Sequence, residues 1–185
     1  MSELQVATLG SGCFWCSEAV YSELSGVTKV EPGFSGGTVP NPSYEQVCTD
    51  STGHAEVAQV TFNPSAISYR ELLEVFFSTH DPTTPNRQGA DEGTQYRSVI
   101  FYHDKAQKEA AEGIIKELTK DRAFRAPIVT EVVPFEKFYV AEDYHRNYYR
   151  KNPNQSYCRA IISPKLAKFR DHFRAKLKEP LASSA

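Results

Sequence analysis

The sequence contains no hydrophobic run long enough to cross a membrane and no large excess of charge of either sign. Its apolar stretches fall short of the about 18 residues that a membrane-spanning helix needs, and its formal net charge is -2. These absences argue against a membrane protein and against binding to nucleic acid. The acidic Glu3 stands where a signal peptide would carry basic residues. We therefore expect a cytoplasmic protein.

Cysteine is scarce, with four residues in a chain of 185. Cytoplasmic thiols stay reduced, which favours catalytic or inert cysteines over structural disulfides. Cys13 and Cys16 form one pair, whereas Cys48 and Cys158 are isolated and have no second Cys or His at ligand spacing. Structural zinc needs four ligands, usually in two pairs. The sequence therefore predicts no metal site and no cofactor.

The periodicity of apolar residues predicts an α+β fold. Helices are predicted at 13–24, 68–77 and 104–118, and a basic helix opens at Ser163-Pro164. Strands are predicted at 4–9, 27–34, 56–62, 96–102 and 128–133. This order suits a two-layer α/β sandwich of the split β-α-β (ferredoxin-like) type, with helices covering an antiparallel or mixed sheet.

No linker, internal repeat or low-complexity segment divides the chain, which predicts a single domain over residues 1–185. The core is expected at about 4–135, and a largely coiled C-terminal extension at about 136–185. Two long loops, 35–53 and 81–95, are rich in polar and aromatic residues. Loops of that length in a compact domain usually carry function.

The segment Gly12-Cys13-Phe14-Trp15-Cys16 places two thiols and two large rings at the start of a predicted helix. The helix dipole and unpaired N–H groups stabilise a thiolate at Cys13. A Cys-x-x-Cys pair at a helix N-terminus favours redox chemistry, and Phe14 and Trp15 would form an apolar pocket beside it. The alternative is a pair of buried, inert thiols.

Glu56 has the parity of an inward-facing residue on a predicted strand. It alternates with Ala58, Val60 and Phe62, so its carboxyl should lie on the apolar face, where lost solvation raises its pKa. A carboxyl that stays protonated near neutral pH can act as a general acid. The alternative is a strand-end carboxylate that turns to solvent. The neighbouring His54 is expected to be structural.

Other polar side chains lie in the predicted loops. Asp91 and Tyr96 in the second loop could form hydrogen bonds at a site, and Tyr44 lies in the first loop. Cys48 has an apolar neighbour and is expected to be packed and inert. Cys158 lies just past a Pro/Asn turn in a tail that need not be rigid. A mobile cysteine suits a resolving thiol that condenses with a sulfenic acid; the alternative is that it has no role.

Together these segments resemble the A-type peptide methionine sulfoxide reductases along nearly the whole chain. Three segments look like that family's signatures: Gly12-Cys13-Phe14-Trp15, Gly53-His54-Ala55-Glu56 and Gly93-Thr94-Gln95-Tyr96-Arg97-Ser98. A fourth, Tyr144-His145 through Asn152-Pro153, resembles the stretch before the family's C-terminal resolving cysteine. The resemblance implies a two-layer α/β sandwich with long coiled segments, which agrees with the predicted order of elements.

The resemblance also implies an activity, the thiol-dependent reduction of methionine-S-sulfoxide, free or in proteins. Cys13 would become a sulfenic acid and then part of an intramolecular disulfide that thioredoxin reduces. This chemistry would repair oxidised proteins. No nucleic acid or membrane partner is implied, and we expect a monomer.

The family's roles carry over residue by residue. The resemblance implies that Cys13 is the nucleophile and that Cys158 is the resolving cysteine. It also implies that Glu56 protonates the sulfoxide oxygen, that Tyr44 and Tyr96 donate hydrogen bonds to that oxygen, and that Asp91 is an acidic residue of the same site. Phe14 and Trp15 would form the pocket for the substrate's methyl group.

The cysteines depart from the family pattern. Many members lack a cysteine at the position of Cys16 and carry two near the C-terminus, whereas this chain has Cys16 and, near the C-terminus, only Cys158. The resemblance favours Cys158 as the resolving thiol. Cys16 stays open, although a disulfide within a helix's first turn can be strained. A relay through both cysteines is a third possibility.

Two rival functions remain open on the sequence. A general thiol-disulfide oxidoreductase would use Cys13 and Cys16 and give Glu56 no role. A non-catalytic binding module would hold methionine or a peptide in the aromatic pocket, even after Cys13→Ser. The matches at Glu56 and at the two tyrosines argue against both.

Overall fold

A computed structural model describes residues 3–179 of the chain. The strands are β1 (Gln5–Ser11), β2 (Val27–Ser35), β3 (Ala55–Phe62), β4 (Arg87–Gln88), β5 (Asp91–Glu92), β6 (Ser98–Tyr102), β7 (Glu131–Pro134) and β8 (Phe138–Val140). The α-helices are α1 (Phe14–Tyr21), α2 (Tyr44–Cys48), α3 (Tyr69–Thr79), α4 (Lys105–Lys120), α5 (Tyr148–Lys151) and α6 (Ser163–His172). Within the described residues, no helix is both long enough and apolar enough to span a membrane.

Six of the strands form one curled sheet in the order β7-β6-β1-β3-β2-β8. Neighbouring strands run antiparallel, except that β6 and β7 are parallel. The short strands β4 and β5 form a separate hairpin. The predicted α+β class is therefore confirmed, and of the two kinds of sheet left open by the sequence, antiparallel or mixed, the structure has the mixed one.

The main core lies between this sheet and the helices. Ala58, Val60 and Phe62 of β3 pack with the buried side chains of α1, α3, α4 and α6, while Val57 belongs to a cluster on the opposite face of the sheet. This division confirms the predicted alternation along β3. Phe76 of α3 is fully buried in the main core, because the apolar residues of α3 recur at helical spacing.

Local signals set several element boundaries. Ser68 and Glu71 form the predicted capping box at the start of α3, and Asp104 caps α4 through the backbone N–H of Gln107. These side chains satisfy N–H groups that a helix cannot pair internally. The C-terminal helix α6 begins at Ser163 with a proline in its first turn, as predicted.

The two long loops contain short elements that periodicity did not predict. The first holds α2, which a capping box of Ser43 and Gln46 opens. The second holds the β4–β5 hairpin and a 3-10 turn, Thr94–Tyr96. Tyr96 therefore precedes the strand predicted to contain it, because β6 begins at Ser98. Elements of two to five residues are too short to show a hydrophobic period.

The C-terminal extension is less coiled than predicted. β8 adds a strand beside β2, and α5, a π-helical turn (Cys158–Ile162) and α6 follow. The sequence placed Cys158 in a tail that need not be rigid, whereas the structure buries this cysteine fully. The sequence shows a Pro/Asn turn before this cysteine, but it does not show that Ile162 and the next helix pack on α1. Residues 1–2 and 180–185 of the predicted domain lie outside the described residues.

Candidate active site

The first turn of α1 carries two of the four thiols. Gly12, with a φ of 98°, turns the chain from β1 into the helix, and Cys13 occupies the N-cap position. A Cβ on Gly12 would lie 2.7 Å from the side chain of Gln88, so both the backbone angle and the β4–β5 hairpin require glycine there. Cys16 is three residues further along, and the N-cap and the third helical position face each other in a helix. The turn thereby brings the Cys13 and Cys16 thiols together.

The protonation state of Cys13 differs from the expectation. Burial raises the pKa of Cys13 well above its ordinary value, and its interaction with Cys16 and the charge of Glu56 add to the effect. The backbone N–H of Trp15 acts in the opposite direction, but the helix N-terminus does not offset burial. Cys13 is therefore a thiol at neutral pH in the substrate-free site.

Glu56 lies at the start of β3 with 1% of its surface exposed. The backbone N–H of Phe14 donates a hydrogen bond of 3.2 Å to its Oε1 atom, and its Oε2 atom has no hydrogen-bond partner among residues 3–179. Burial raises the pKa of Glu56 to about 8, opposed by Phe14 N–H and the Tyr96 hydroxyl and reinforced by Asp91. The predicted burial and raised pKa are confirmed. The carboxyl is protonated at neutral pH and has a proton to donate.

The two predicted tyrosines are near enough to this carboxyl for the charge of Glu56 to act on both hydroxyls. Tyr44 begins α2, and its backbone N–H donates to Glu142 Oε1 at 3.1 Å. Burial and the charge of Glu56 raise the hydroxyl pKa of both Tyr44 and Tyr96. Both hydroxyls therefore keep their protons and can donate hydrogen bonds to an oxygen placed beside Glu56.

Asp91 connects the β4–β5 hairpin to the C-terminal extension. Its Oδ2 atom accepts a hydrogen bond of 2.6 Å from the Tyr157 hydroxyl. The charge of Asp91 also raises the pKa of Glu56, so the structure brings these two predicted residues together. Tyr157 was not predicted, because its partner is 66 positions away in the sequence.

Trp15 forms an aromatic wall with residues of the extension. Its indole N–H donates to His145 Nδ1 at 2.9 Å, and its ring stacks on Tyr148 with a centroid distance of 3.7 Å. Phe14 is fully buried behind this wall and contacts Tyr44 and His145. Because His145 Nδ1 accepts a hydrogen bond, its ring proton lies on Nε2, which is buried without a partner in the described part of the chain.

The sequence marked the segment containing His145 and Tyr148 as a motif but did not give these residues a role. Their only local signal is a stretch rich in aromatic residues. Only the contact with Trp15 assigns them to the aromatic wall, and in the case of His145 this contact joins residues 130 positions apart in the sequence.

Cys13, Cys16 and Cys158 are connected by a series of contacts between neighbouring thiols. Hydrogen bonding to Cys13 lowers the pKa of Cys16 to about 7, against the effect of its own burial. Cys16 and Cys158 in turn pack with Ile162 in one buried cluster. No group of His, Cys, Asp or Glu residues within 3–179 is arranged to hold a metal ion. The contacts join Cys13 to Cys16 and Cys16 to Cys158.

Two predictions about neighbouring residues have different outcomes. Cys48 is exposed, so the prediction of a packed thiol is wrong: α2 turns Val47 inward instead. His54 is structural, as predicted, because Nδ1 accepts from the Gly37 N–H at 3.0 Å and Nε2 donates to the Val39 carbonyl at 2.7 Å. Both ring nitrogens are thus occupied by the backbone.

Known proteins resemble the chain over most of its length. A model of the family described as peptide methionine sulfoxide reductase matches residues 5–177. A peptide methionine sulfoxide reductase MsrA of Sulfolobus acidocaldarius is 60% identical over 94% of this chain and 97% of its own length.

Solved structures agree with this relationship. Mxr1 from Saccharomyces cerevisiae in its reduced form superposes with a TM-score of 0.76 at 38% identity, over 84% of this chain and 90% of that one. The structure of Mxr1 in complex with Trx2 matches with a TM-score of 0.54 at 26% identity, over 80% of this chain and 88% of the other. The chain therefore belongs to the peptide methionine sulfoxide reductase family.

Proposed function

We propose that this chain reduces methionine sulfoxide at Cys13, with Glu56 as the acid. The activity class follows from membership of the family, which makes the protein an oxidoreductase. The observation that supports these two residues is the buried carboxyl of Glu56, which is protonated at neutral pH and linked to the first turn of the Cys13 helix through Phe14.

The reaction needs an acid because a sulfoxide oxygen is a poor leaving group. Glu56 protonates this oxygen, and the hydroxyls of Tyr44 and Tyr96 donate hydrogen bonds to it. The Cys13 sulfur then attacks the sulfoxide sulfur, which forms an S–S bond in an intermediate that still carries the protonated oxygen. The oxygen moves from the substrate sulfur to Cys13 as both the S–O and the S–S bonds to that sulfur break, so that methionine leaves and Cys13 becomes a sulfenic acid. The thiol proton of Cys13 has an acceptor beside it in Cys16, whose pKa is about 7.

The substrate's methyl group packs against the aromatic wall of Trp15, which Phe14 supports from behind. A flat apolar wall on one side and hydrogen-bond donors on the other distinguish the two epimers of a chiral sulfoxide. We assign the S epimer, as the resemblance implies. Asp91 completes the site in two ways: its carboxylate accepts a hydrogen bond from the Tyr157 hydroxyl, and its charge disfavours ionisation of Glu56.

The contacts among the thiols support a relay. Cys16 lies nearest to Cys13 and has the lower pKa of the two, so it attacks the sulfenic acid first and releases water. A thiol with a pKa near the ambient pH is the most effective attacking group. Cys158 then attacks Cys16, which returns Cys13 to the thiol state and leaves a Cys16–Cys158 disulfide. This order revises the preference for Cys158 as the direct resolving thiol.

Thioredoxin is the reductant in this scheme. The complex of Mxr1 with Trx2 supports it, since that protein is related to this chain. A dithiol exchanges with the final disulfide and returns all thiols to the reduced form. A protein that depends on such a dithiol works in a reducing compartment, and we assign it to the cytoplasm on this ground.

The finer topology is also part of the proposal. The strand order β6-β1-β3-β2 supports a split β-α-β (ferredoxin-like) core in two layers, because α1 joins β1 to β2 across the intervening β3. Packing of α6 on the main core supports a single domain over 1–185 that includes the extension.

The test is a reaction without reductant. Reduced protein is mixed with excess racemic methionine sulfoxide, methionine is quantified, and disulfides are mapped by mass spectrometry. The relay frees Cys13 for a second reaction, so we expect about two methionines per chain, from the S epimer only, and a Cys16–Cys158 disulfide. Cys13→Ser should form none, whereas Cys48→Ser should match the unsubstituted protein.

Other outcomes separate the parts of the proposal. About one methionine per chain with a Cys13–Cys158 bond would keep the reductase and remove the relay. The same yield with a Cys13–Cys16 bond would show that Cys16 resolves the sulfenic acid and that Cys158 takes no part. No methionine from any form of the protein would refute the reductase and return the Cys-x-x-Cys oxidoreductase to consideration.

A further inference from the structure

Glu18 is a buried carboxyl that the proposed reaction does not use. It lies on α1, one turn beyond Trp15, and has 4% of its surface exposed. Burial raises the pKa of Glu18 to about 7, although the nearby cations Arg146 and Lys151 oppose this effect. An acidic side chain is rarely buried so fully without a specific partner.

The partner is the backbone at the start of α5. Oε1 of Glu18 accepts a hydrogen bond of 2.7 Å from the N–H of Asn147, and the N–H of Tyr148 also points to this carboxyl. Asn147 is the N-cap of α5, has a left-handed backbone with a φ of 52°, and makes no capping bond with its own side chain. Glu18 therefore satisfies, from another helix, N–H groups that α5 cannot pair internally.

This hydrogen bond fixes the residue that stacks on Trp15. Tyr148 is the first residue of α5, and its ring lies 6° from parallel with the indole. Trp15 and Glu18 are three positions apart on α1, so they lie on the same helix face. Helix α1 thus holds the segment at two points, the Trp15 ring and the Glu18 carboxyl.

A second ionic contact to the segment is weaker. Arg146 lies 3.3 Å from Glu31 of β2; the Arg146 side chain is 44% exposed and that of Glu31 is 19% exposed, so solvent reaches the pair from the arginine side. Exposed ion pairs contribute little to stability because solvent screens them. Glu31 therefore serves as a matched control: it is a carboxylate that contacts the residue next to Asn147 from outside the buried network.

We propose that Glu18 is a positioning residue that holds Tyr148 against Trp15 and so keeps the substrate-binding wall in place. The inference rests on the proposed function, since the wall is the part that binds the sulfoxide methyl group. Loss of the Glu18 carboxyl weakens substrate binding more than it slows the chemical step, because Cys13 and Glu56 keep their own contacts.

The experiment compares Glu18→Ala, Glu18→Gln and Glu31→Gln with the unsubstituted protein. The chain has a single tryptophan, so its fluorescence reports the Trp15 environment directly. For Glu18→Ala we expect emission at longer wavelength and a KM for methionine sulfoxide about fivefold to tenfold higher, with kcat changed less than about twofold. Glu18→Gln should be intermediate, because its amide oxygen still accepts an N–H, and Glu31→Gln should match the unsubstituted protein.

Fluorescence separates this inference from the proposed function, because it needs no turnover. A folded Glu18→Ala protein with unchanged emission and unchanged KM would overturn the positioning role, even if the enzyme reduces sulfoxide as proposed. A fall in kcat with neither KM nor emission changed would overturn it as well. If Glu18→Ala does not fold, Glu18→Gln decides: a shift in emission supports the role, and emission equal to that of the control refutes it.

Discussion

The buried carboxyl of Glu56 makes folding stability depend on pH, and Glu56→Gln should remove that dependence. The pKa of Glu56 is about 8 in the folded chain, against 4.5 for an ordinary glutamate. The folded state thus favours the neutral carboxyl, whereas the unfolded state ionises freely above pH 4.5. The free energy of unfolding therefore falls as the pH rises from 4.5, the pKa of Glu56 in the unfolded state, to about 8, its pKa in the folded state. Above that pH the carboxyl is ionised in both states, and its contribution to stability no longer changes.

The size of the effect follows from the two pKa values. Relative to a carboxyl that stays neutral, Glu56 destabilises the fold by roughly 1 kcal/mol at pH 5 and roughly 3 kcal/mol at pH 7. The amide side chain in Glu56→Gln has nearly the same shape and an oxygen that accepts the Phe14 N–H, but it cannot ionise. The difference in free energy of unfolding between Glu56→Gln and the unsubstituted protein should therefore be about 2 kcal/mol larger at pH 7 than at pH 5, in favour of the variant.

Urea unfolding of both proteins at pH 5 and pH 7 measures this difference. Glu92→Gln is a suitable control, because Glu92 is exposed and its pairing with Arg87 is a surface contact of 3.9 Å. That variant should follow the unsubstituted protein at both pH values. Parallel changes in the free energy of unfolding for Glu56→Gln and the unsubstituted protein would refute the claim that burial holds Glu56 protonated.

Two further predictions concern the rate and the core. The first turnover should slow as the pH rises through about 8, because ionised Glu56 has no proton to give; stopped reactions without reductant measure this. A rate that stays constant to about pH 9.5 would contradict the role of Glu56 as the acid. Phe76→Ala should lower the free energy of unfolding by about 3–5 kcal/mol, measured in urea, because Phe76 is fully buried. A loss below about 1 kcal/mol would show that the core closes around the gap.

The sequence predicts those parts of the fold that depend on neighbouring residues. The capping signals at Ser68 and Asp104 are local, and both are confirmed. The alternation along β3 is also local; it indicated the apolar face for the carboxyl of Glu56 but left a turn to solvent open, and the structure decides for burial. A period of two residues fixes which side of a strand a side chain faces.

Features that depend on distant partners could not be read in the same way. The raised pKa of Cys13 is one example: the helix N-terminus is visible in the sequence, but the extent of burial is not. The contact of Cys158 with Cys16 is another, because it requires the whole extension to pack on α1. Cys48 is exposed since a helix of five residues turns its neighbour inward, and no period signals so short a helix.

The stacking of Tyr148 on Trp15 has a consequence for synthesis of the chain. Ribosomes make proteins from the N-terminus, so the Cys13 turn is synthesised long before the residues that complete the aromatic wall beside it. His145, for example, follows Trp15 by 130 positions. Until that later segment is made and packed on α1, the Cys13 turn lacks both the ring of Tyr148 and the buried contact of Cys16 with Cys158. The site thus depends on residues synthesised 130 positions after Trp15, and a chain that stops before Tyr148 keeps the Cys13 thiol but lacks the aromatic wall beside it.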